Sequence, residues 1–119
     1  MTSPPSPVAL SVHVTTHATD PATKLISICI PTFDRVVFLE QAIESILPQI
    51  APDIELLVYD TGSTDETQEL MSRITRSSPE VRYFRREMRL GVDETLLLLL
   101  EESRGEYVWF FGSDDILKE

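Results

Sequence analysis

Two adjacent carboxylates, Asp114 and Asp115, follow an unusually apolar stretch near the end of the sequence. That stretch, residues 107–111 (YVWFF), is aromatic or β-branched throughout, which is typical of a short strand buried on both faces. Open α/β sheets bind ligands where the carboxyl ends of such strands carry polar groups. A divalent cation carrying substrate phosphates would offset the repulsion between neighbouring acids, so the pair predicts a metal site. In the alternative interpretation, Asp114 only caps a following helix and Asp115 is solvated.

Two earlier predicted strands, residues 25–30 and 54–59, also lead directly into residues that could bind a ligand. Phe33 could stack on a flat base, and Asp60 could accept a hydrogen bond from a base or a ribose. The alternatives are that Phe33 covers the core and that Asp60 is a turn residue. The full candidate set is Pro31, Thr32 and Phe33 after the first strand, Asp60 and Thr61 after the second, and Ser113 and Asp114 after the last.

These loops are separated by segments with helical spacing, which gives a β-α-β-α-β-α-β order. The first helix is predicted at residues 36–47, and the second is predicted to start with a capping box from Ser63 to Glu66. A third strand is predicted at residues 81–84. Asp93 is the expected cap of a third helix, whose apolar run at residues 96–100 predicts burial on several sides. Such alternation predicts an α/β fold: a parallel sheet with helices on both faces, and the three loops at one edge.

Composition excludes several classes of function. The 119 residues carry a formal net charge of -10, which argues against binding to nucleic acid or an anionic membrane. The one cysteine, Cys29, and two histidines, His13 and His17, exclude a disulfide framework and a histidine-based centre in the folded part. No apolar run is long enough to span a membrane, and no Lys or Arg precedes Lys24, which argues against a secretory signal. These features predict a cytoplasmic setting.

The Pro-, Ser- and Thr-rich residues 1–23 predict a disordered tail, followed by one domain at residues 24–119. The weakly alternating residues 8–14 leave an added edge strand open as an alternative. Four arginines lie within residues 82–89, either as a solvated sheet edge or as a contact for a phosphate or an anionic acceptor. Because the sequence stops four residues after Asp115, we expect the front half of a larger domain.

Three classes of α/β protein compete for this pattern. A dinucleotide-binding domain needs Gly-x-Gly-x-x-Gly after its first strand, where this sequence has PTFDR. A phosphoacceptor receiver domain has this length and acidity, but it would want an acid pair after the first strand and a lysine after a late one. Pro31 ends the first strand, and Lys118 lies beyond the acidic pair. A sugar-nucleotide transferase, in which carboxylates hold a metal on a diphosphate, fits the pattern better.

Four motifs in order resemble the N-terminal half of family 2 glycosyltransferases with the GT-A fold. They are SICIPTFDR, ELLVYDTGSTDET, LGVDETLL and RGEYVWFFGSDDIL, spanning most of residues 25–117. The resemblance implies a Rossmann-like sheet that binds a nucleoside-diphosphate sugar. By it, Pro31, Phe33 and Asp60 line the nucleotide pocket. Asp114, helped by Asp115, holds Mn²⁺ or Mg²⁺ on the diphosphate.

Two positions depart from the usual form of these motifs. Thr61 stands where a second acid usually contacts the base, and Gly112 stands at the first acid of the DXD motif. The resemblance implies inverting transfer to a hydroxyl of a glycan or lipid-linked acceptor in bacterial surface polysaccharide synthesis, in the cytoplasm or at the inner face of the membrane. The family's general base lies in its second half, so we expect this chain to be inactive alone. The alternative is a non-catalytic nucleotide-binding or interaction module.

Overall fold

The two central strands of the sheet are mostly apolar and buried on both faces. The apolar stretch at residues 107–111 is less buried than its sequence predicts, since Tyr107 is 42% exposed. A computed structural model describes residues 10–13, as backbone only, and residues 24–111. In these ranges the helices are of similar length, and none is long and apolar enough to cross a membrane. The elements are β1 (Leu10–His13), β2 (Lys24–Thr32), α1 (Val36–Ile46), β3 (Ile54–Thr61), α2 (Thr67–Ser77), β4 (Val81–Arg86), α3 (Val92–Glu102) and β5 (Gly105–Phe110), with a 3₁₀ turn at Leu47–Gln49.

The strands lie in the order β1-β5-β2-β3-β4. All pairs from β5 to β4 are parallel, and β1 pairs antiparallel with β5. The predicted parallel α/β sheet is therefore confirmed. Because parallel strands point the same way, the loops after β2 and β3 meet at one edge, which we call the carboxyl edge.

Helices cover both faces of this sheet, as predicted. On one face, α1 and α2 pack Leu39, Ile43 and Met71 against Ile28 and Ile30 of β2. This face forms the larger of the two buried clusters, and its side chains are almost wholly inaccessible to solvent.

On the other face, Leu99 of α3 packs against Cys29, Leu57 and Val108. The Cys29 side chain is fully buried. That burial raises the pKa of its thiol to about 12, although the contact with Ser103 acts in the opposite direction. The thiol is therefore protonated at neutral pH.

The segment Leu10–His13 lies within the range expected to be a disordered tail. The structure instead places it beside β5, with Leu10 opposite Phe110 and His13 opposite Tyr107. These four residues follow the alternative of an added edge strand. The pairing satisfies the edge of β5 that would otherwise present free amides and carbonyls. Residues 1–9 and 14–23 lie outside the described residues, so disorder there stays a prediction.

The predicted capping box at Ser63 and Glu66 is wrong. Helix α2 starts at Thr67, and its first turn is capped by Asp65, whose Oδ1 accepts hydrogen bonds from the Thr67 amide at 3.0 Å and hydroxyl at 2.5 Å. The Ser63 hydroxyl instead accepts a hydrogen bond from the Asp34 amide at 2.8 Å. Ser63 is favoured as a helix cap by the local sequence, but in the folded chain its hydroxyl makes a tertiary hydrogen bond to Asp34 instead.

Two expectations for α3 are also wrong. Gly91, not Asp93, is its N-cap, and the Gly91 amide donates to the Glu94 carboxylate at 3.1 Å. Residues 96–100 are not buried all round, because α3 contacts the sheet along only one face. Leu99 is fully buried, whereas Leu97 is 64% exposed.

Candidate functional site

The predicted meeting of the first two loops is present at the carboxyl edge. Thr32 at the end of β2 pairs with Asp60 at the end of β3, and Asp60 pairs in turn with Arg85 of β4. The three side chains therefore project from adjacent parallel strands towards the same face of the sheet. Position 31 is partly buried beside them, and Thr61 is buried.

Asp60 is the charged centre of this edge. Its side chain is wholly buried, and its carboxylate accepts hydrogen bonds from three protein groups. The Ser63 amide donates to Oδ1 at 2.9 Å, while the Tyr83 hydroxyl at 2.6 Å and the Arg85 Nη1 at 2.8 Å donate to Oδ2. Through these three donors Asp60 links the loop after β3 to β4, which exceeds the role of an isolated turn residue.

The pKa of the Tyr83 hydroxyl is shifted by this arrangement. Burial raises the pKa of its hydroxyl, and the hydrogen bond to the Asp60 carboxylate raises it further. Arg85 acts in the opposite direction but does not reverse the effect. Tyr83 therefore stays a neutral hydrogen-bond donor to Asp60 at neutral pH.

Reciprocal hydrogen bonds join the loop after β2 to the loop after β3. While the Ser63 hydroxyl accepts from the Asp34 amide, the Asp34 carboxylate accepts from the Thr64 amide at 2.7 Å. The Asp65 carboxylate then accepts from the Val36 amide at 3.1 Å. Asp34 has a φ of 50°, a left-handed conformation that aspartate tolerates better than most residues. We name this set of contacts the loop staple; it fixes the chain at Asp34 and Val36, directly after Phe33.

Phe33 is held at the carboxyl edge by the loop staple. It is partly exposed and belongs to neither buried cluster, so it does not cover the core. The guanidinium carbon of Arg89 lies 3.9 Å from the centre of its ring. The ring therefore presents a face large enough for a planar cation, and by the same geometry for a planar base.

Thr32, the residue before Phe33, has an unused polar atom. Its side chain is 5% exposed, and among the described residues its hydroxyl has no hydrogen-bond partner. Because an unpaired buried hydroxyl is costly, such an atom is a natural contact for a bound ligand.

The four clustered arginines are not a simple solvated edge. Arg82 pairs with the buried Glu55 at 3.1 Å, Arg85 pairs with Asp60, and Arg86 donates to the Tyr59 hydroxyl at 2.8 Å. Arg89 is the cluster member that lies on an aromatic ring. Each guanidinium therefore has a distinct neighbour, and the solvated-edge interpretation is wrong for the two that pair with buried acids.

The predicted metal ligands cannot be placed, because Ser113, Asp114 and Asp115 lie outside the described residues. Within residues 24–111, no group of three or more His, Cys, Asp or Glu side chains could hold a metal ion. Asp60, the acid at the edge, already has protein donors on both oxygens. The described residues alone therefore do not supply a metal centre.

Sequence reasoning missed the residues that build the site around Asp60 and Phe33. Tyr83 and Arg85 contact Asp60 from a strand that is distant in sequence, so no local sequence pattern predicts these contacts. Asp34 and Asp65 gave a weak signal, since each acid lies in a loop just before a helix, where carboxylates cap free amides.

Comparison with known proteins agrees with this arrangement. The sequence matches the model of "Glycosyl transferase family 2" over residues 27–119. This chain belongs to glycosyl transferase family 2. Among curated relatives, abequosyltransferase RfbV of Salmonella typhimurium is 40% identical over 97 residues, which cover 78% of this chain and 29% of the relative.

Solved structures of glycosyltransferases share the fold of this family 2 chain. Staphylococcus aureus TarS residues 1–349 in complex with UDP aligns with a TM-score of 0.70 and 25% identity, covering 77% of this chain and 28% of that one. Glucosyl-3-phosphoglycerate synthase from Mycobacterium tuberculosis, in complex with Mn²⁺ and UDP, aligns with a TM-score of 0.61 and 32% identity, covering 77% and 34%. The expected GT-A fold is thus confirmed, and the chain spans about a third or less of the length of these relatives.

Proposed function

We propose that this chain forms the donor-binding part of a glycosyltransferase that moves a sugar from a nucleoside diphosphate to an acceptor hydroxyl. The observation that carries the proposal is the position of Phe33, which is partly exposed at the carboxyl edge and fixed by the loop staple. A fixed aromatic ring, preceded in sequence by a residue with an unpaired hydroxyl, suits a planar base joined to a polar ribose. Base–aromatic stacking of this kind contributes about 1–3 kcal/mol.

The other edge residues have complementary roles in this proposal. Thr32 offers its free hydroxyl to the nucleoside, and Pro31 and Thr61 complete the walls of the pocket. Asp60 serves the donor mainly through the groups it orients, because its carboxylate already accepts hydrogen bonds from Ser63, Tyr83 and Arg85. It is therefore a positioning residue at the base of the pocket.

We further propose that Asp114, assisted by Asp115 and beside Ser113, holds a divalent metal against the donor diphosphate. Mg²⁺ and Mn²⁺ favour oxygen ligands, and Mg²⁺ commonly uses one or two carboxylates together with substrate phosphates. The Mn²⁺ and UDP bound to the related mycobacterial synthase support this choice. A metal held by these residues would supply Lewis-acid stabilisation of the departing diphosphate.

The general base and the acceptor site belong, in this proposal, to the part of family 2 enzymes that the matched segment does not cover. The matched segment spans 29% of the abequosyltransferase. The base would deprotonate a hydroxyl of a glycan or lipid-linked acceptor, and attack opposite the leaving diphosphate would invert the anomeric centre. The chain by itself would bind donor without completing transfer. We place this chemistry in bacterial surface polysaccharide synthesis, on the cytoplasmic side of the membrane.

The test is nucleotide binding to the intact chain. We expect UDP, GDP, ADP, CDP or dTDP, each with Mn²⁺, to raise the melting temperature, with one nucleotide clearly preferred. Phe33→Ala should weaken binding of that nucleotide at least about fivefold, the lower end of a lost base stack. Phe38→Ala is the matched control, because Phe38 is an exposed phenylalanine on α1 that also carries an arginine, Arg35, over its ring.

Either of two outcomes would contradict the proposal. If none of the nucleotides binds with Mn²⁺, the chain is better described as an interaction module with a glycosyltransferase fold. If Phe33→Ala leaves nucleotide affinity unchanged, whatever its effect on stability, Phe33 is not part of a base pocket.

A further inference from the structure

The Arg89 guanidinium covers one face of the Phe33 ring, on which a nucleobase could otherwise stack. A separation of 3.9 Å between guanidinium carbon and ring centre is direct contact, so no base fits between them. The contact is well inside the range of a cation–π interaction. A base can therefore stack on this face of Phe33 only after Arg89 moves away.

Arg89 is held less firmly than the other three arginines of its cluster. Arg82 and Arg85 each pair with a fully buried carboxylate, and Arg86 bonds to a tyrosine hydroxyl. Arg89 is exposed, and within the described residues no carboxylate lies at ion-pair distance from it. Its displacement therefore costs one cation–π contact and breaks no ion pair among these residues.

The backbone that carries Arg89 lies between a close approach to the loop after β3 and the capped start of α3. A Cβ added to Gly62 would lie 2.7 Å from the Glu87 carbonyl oxygen, which shows how closely the loop after β4 approaches the loop after β3. Four residues later, the Gly91 amide donates to the Glu94 carboxylate. The side chain of Arg89 can thus swing while its backbone stays beside the pocket.

We propose that Arg89 is a gate of the base pocket. It covers Phe33 in the free protein, gives way to the base of the nucleotide, and then pairs with the anionic diphosphate of the same ligand. The inference rests on the proposed function and goes beyond it by assigning a residue that discriminates nucleotides with phosphates from those without. Arginine suits both positions, because its planar guanidinium stacks on rings and binds phosphate oxygens in a bidentate manner.

The proposal predicts opposite effects of one substitution on two ligands. In Arg89→Ala, uridine should bind about two- to fivefold more tightly, because it no longer competes with a cation–π contact. UDP should bind roughly five- to tenfold more weakly, because a charge-assisted contact to phosphate is lost. Titration calorimetry of the intact chain would measure both, with guanosine and GDP replacing the uridine pair if GDP is the preferred nucleotide.

Two further variants separate charge from stacking. Arg89→Lys keeps the charge and loses the planar group, so we expect UDP affinity between those of the parent and Arg89→Ala. Arg76→Ala removes an exposed arginine from the last turn of α2 and should leave both affinities unchanged. The loss of UDP affinity in Arg89→Ala should also shrink as salt is added, because screening weakens charge pairing.

An independent test observes the Phe33 ring in the protein without any ligand. Aromatic carbon–proton NMR spectra should show a shift of the Phe33 resonances in Arg89→Ala but not in Arg76→Ala. Unchanged Phe33 resonances would overturn the gate, as would a loss of affinity that is equal for uridine and UDP. If the parent chain binds none of the nucleoside diphosphates, the proposed function fails and the gate fails with it. If the parent binds and Arg89→Ala does not separate the two ligands, only the gate is wrong.

Discussion

The Asp65 carboxylate accepts a hydrogen bond from the Val36 amide at 3.1 Å, so a residue before α2 caps the first turn of α1. The N-cap position of α1, Arg35, provides no side-chain cap of its own. The same carboxylate caps α2 through the amide and hydroxyl of Thr67. One aspartate therefore fixes the starts of two helices and, through them, the loops that carry the candidate site.

Asp65→Ala should lower the free energy of unfolding by about 1–2 kcal/mol, since it removes the cap of both helices. Chemical denaturation at neutral pH would measure this loss. Glu44→Ala is the control, because Glu44 is an exposed acid on α1 and its removal should change stability by less than about 0.5 kcal/mol. Equal stability of the two variants would show that the cap seen for Val36 contributes little in solution.

The contribution of Asp65 should also depend on pH. Partial burial acts to raise its pKa, but hydrogen bonds from the Thr67 hydroxyl and amide and from the Val36 amide outweigh burial, so the pKa is lowered in the folded state. A lowered pKa stabilises the fold at pH values above the ordinary aspartate pKa, and this is lost as pH falls through the folded value. The stability difference between parent and Asp65→Ala should therefore be constant near neutrality and shrink below about pH 4. A difference that persists at pH 2 would contradict this.

Glu55 should be the most sensitive acid at the opposite edge of the sheet. It is almost fully buried and accepts hydrogen bonds from the Ser27 hydroxyl at 2.6 Å, the Arg104 amide at 2.7 Å and Arg82 at 3.1 Å. Glu55→Ala should cost about 3 kcal/mol or more, because it leaves buried donors and a charge without their partner. Glu102→Ala, which removes the exposed second acid beside Arg82, should cost less than about 1 kcal/mol.

Denaturation curves of these two variants would test the prediction directly. We expect nucleotide binding by folded Glu55→Ala to be unchanged, since Glu55 lies away from the carboxyl edge. A mild effect on stability would show that the Ser27, Arg82 and Arg104 groups find other partners when the acid is removed.

Gly62→Ala should disturb the pocket as well as the fold. Gly62 has a φ of 87°, and its added Cβ would lie 2.7 Å from the Glu87 carbonyl oxygen. Strain and displacement of the Arg89 loop should together cost about 1–3 kcal/mol and weaken nucleotide binding. Gly91→Ala is the control: its nearest atom would be the flexible Glu94 carboxylate at 3.5 Å, so we expect a loss below about 1 kcal/mol. Similar melting temperatures and affinities in both variants would contradict the prediction.

Metal and nucleotide should bind to this chain cooperatively through Asp114. Few carboxylates are available, so Mn²⁺ should bind weakly alone and better with a nucleoside diphosphate, and each ligand should strengthen the other by the same factor. Asp114→Asn should abolish this coupling, whereas Asp115→Asn should reduce it less. Calorimetric titration of Mn²⁺ with and without nucleotide is the measurement. If Mn²⁺ and nucleotide strengthen each other's binding in Asp114→Asn as much as in the parent, Asp114 is a helix cap and not a metal ligand.

Much of the architecture could be predicted because it depends on local pattern. The apolar stretches of β2, β3 and β5 and the helical spacing of α1 identified the sheet and its carboxyl edge. The start of α2 could not be predicted, because Ser63 is a favourable cap by local chemistry but bonds to Asp34 in the folded chain. The exposure of Leu97 was equally hidden, since the pattern of residues 96–100 does not say how many faces of the helix have neighbours.

The meeting of the first two predicted loops could be predicted from the sequence, but the contacts made there could not. The loop that carries Phe33 and the end of the strand that carries Asp60 were expected at one edge because parallel strands align their carboxyl ends. The register of β2 and β3 pairs Thr32 with Asp60 at that edge. Two sets of contacts depend on side chains from β4 and the loop after it. Tyr83 and Arg85 donate hydrogen bonds to the Asp60 carboxylate, and Arg89 lies on the Phe33 ring. Such contacts arise from tertiary packing, which a single sequence does not specify at the level of individual atoms.

Because Cys29 is buried in the sheet, the reactivity of its thiol can be used to measure how often the sheet opens. Cys29 is the single cysteine, lies in the middle of the sheet on β2, and has a thiol whose pKa is raised to about 12 by burial. A thiol-specific reagent can modify Cys29 only in molecules whose sheet has opened locally or globally. The labelling rate therefore reports the fraction of opened molecules. Ligands that tighten the sheet would slow the labelling, with no probe introduced into the protein.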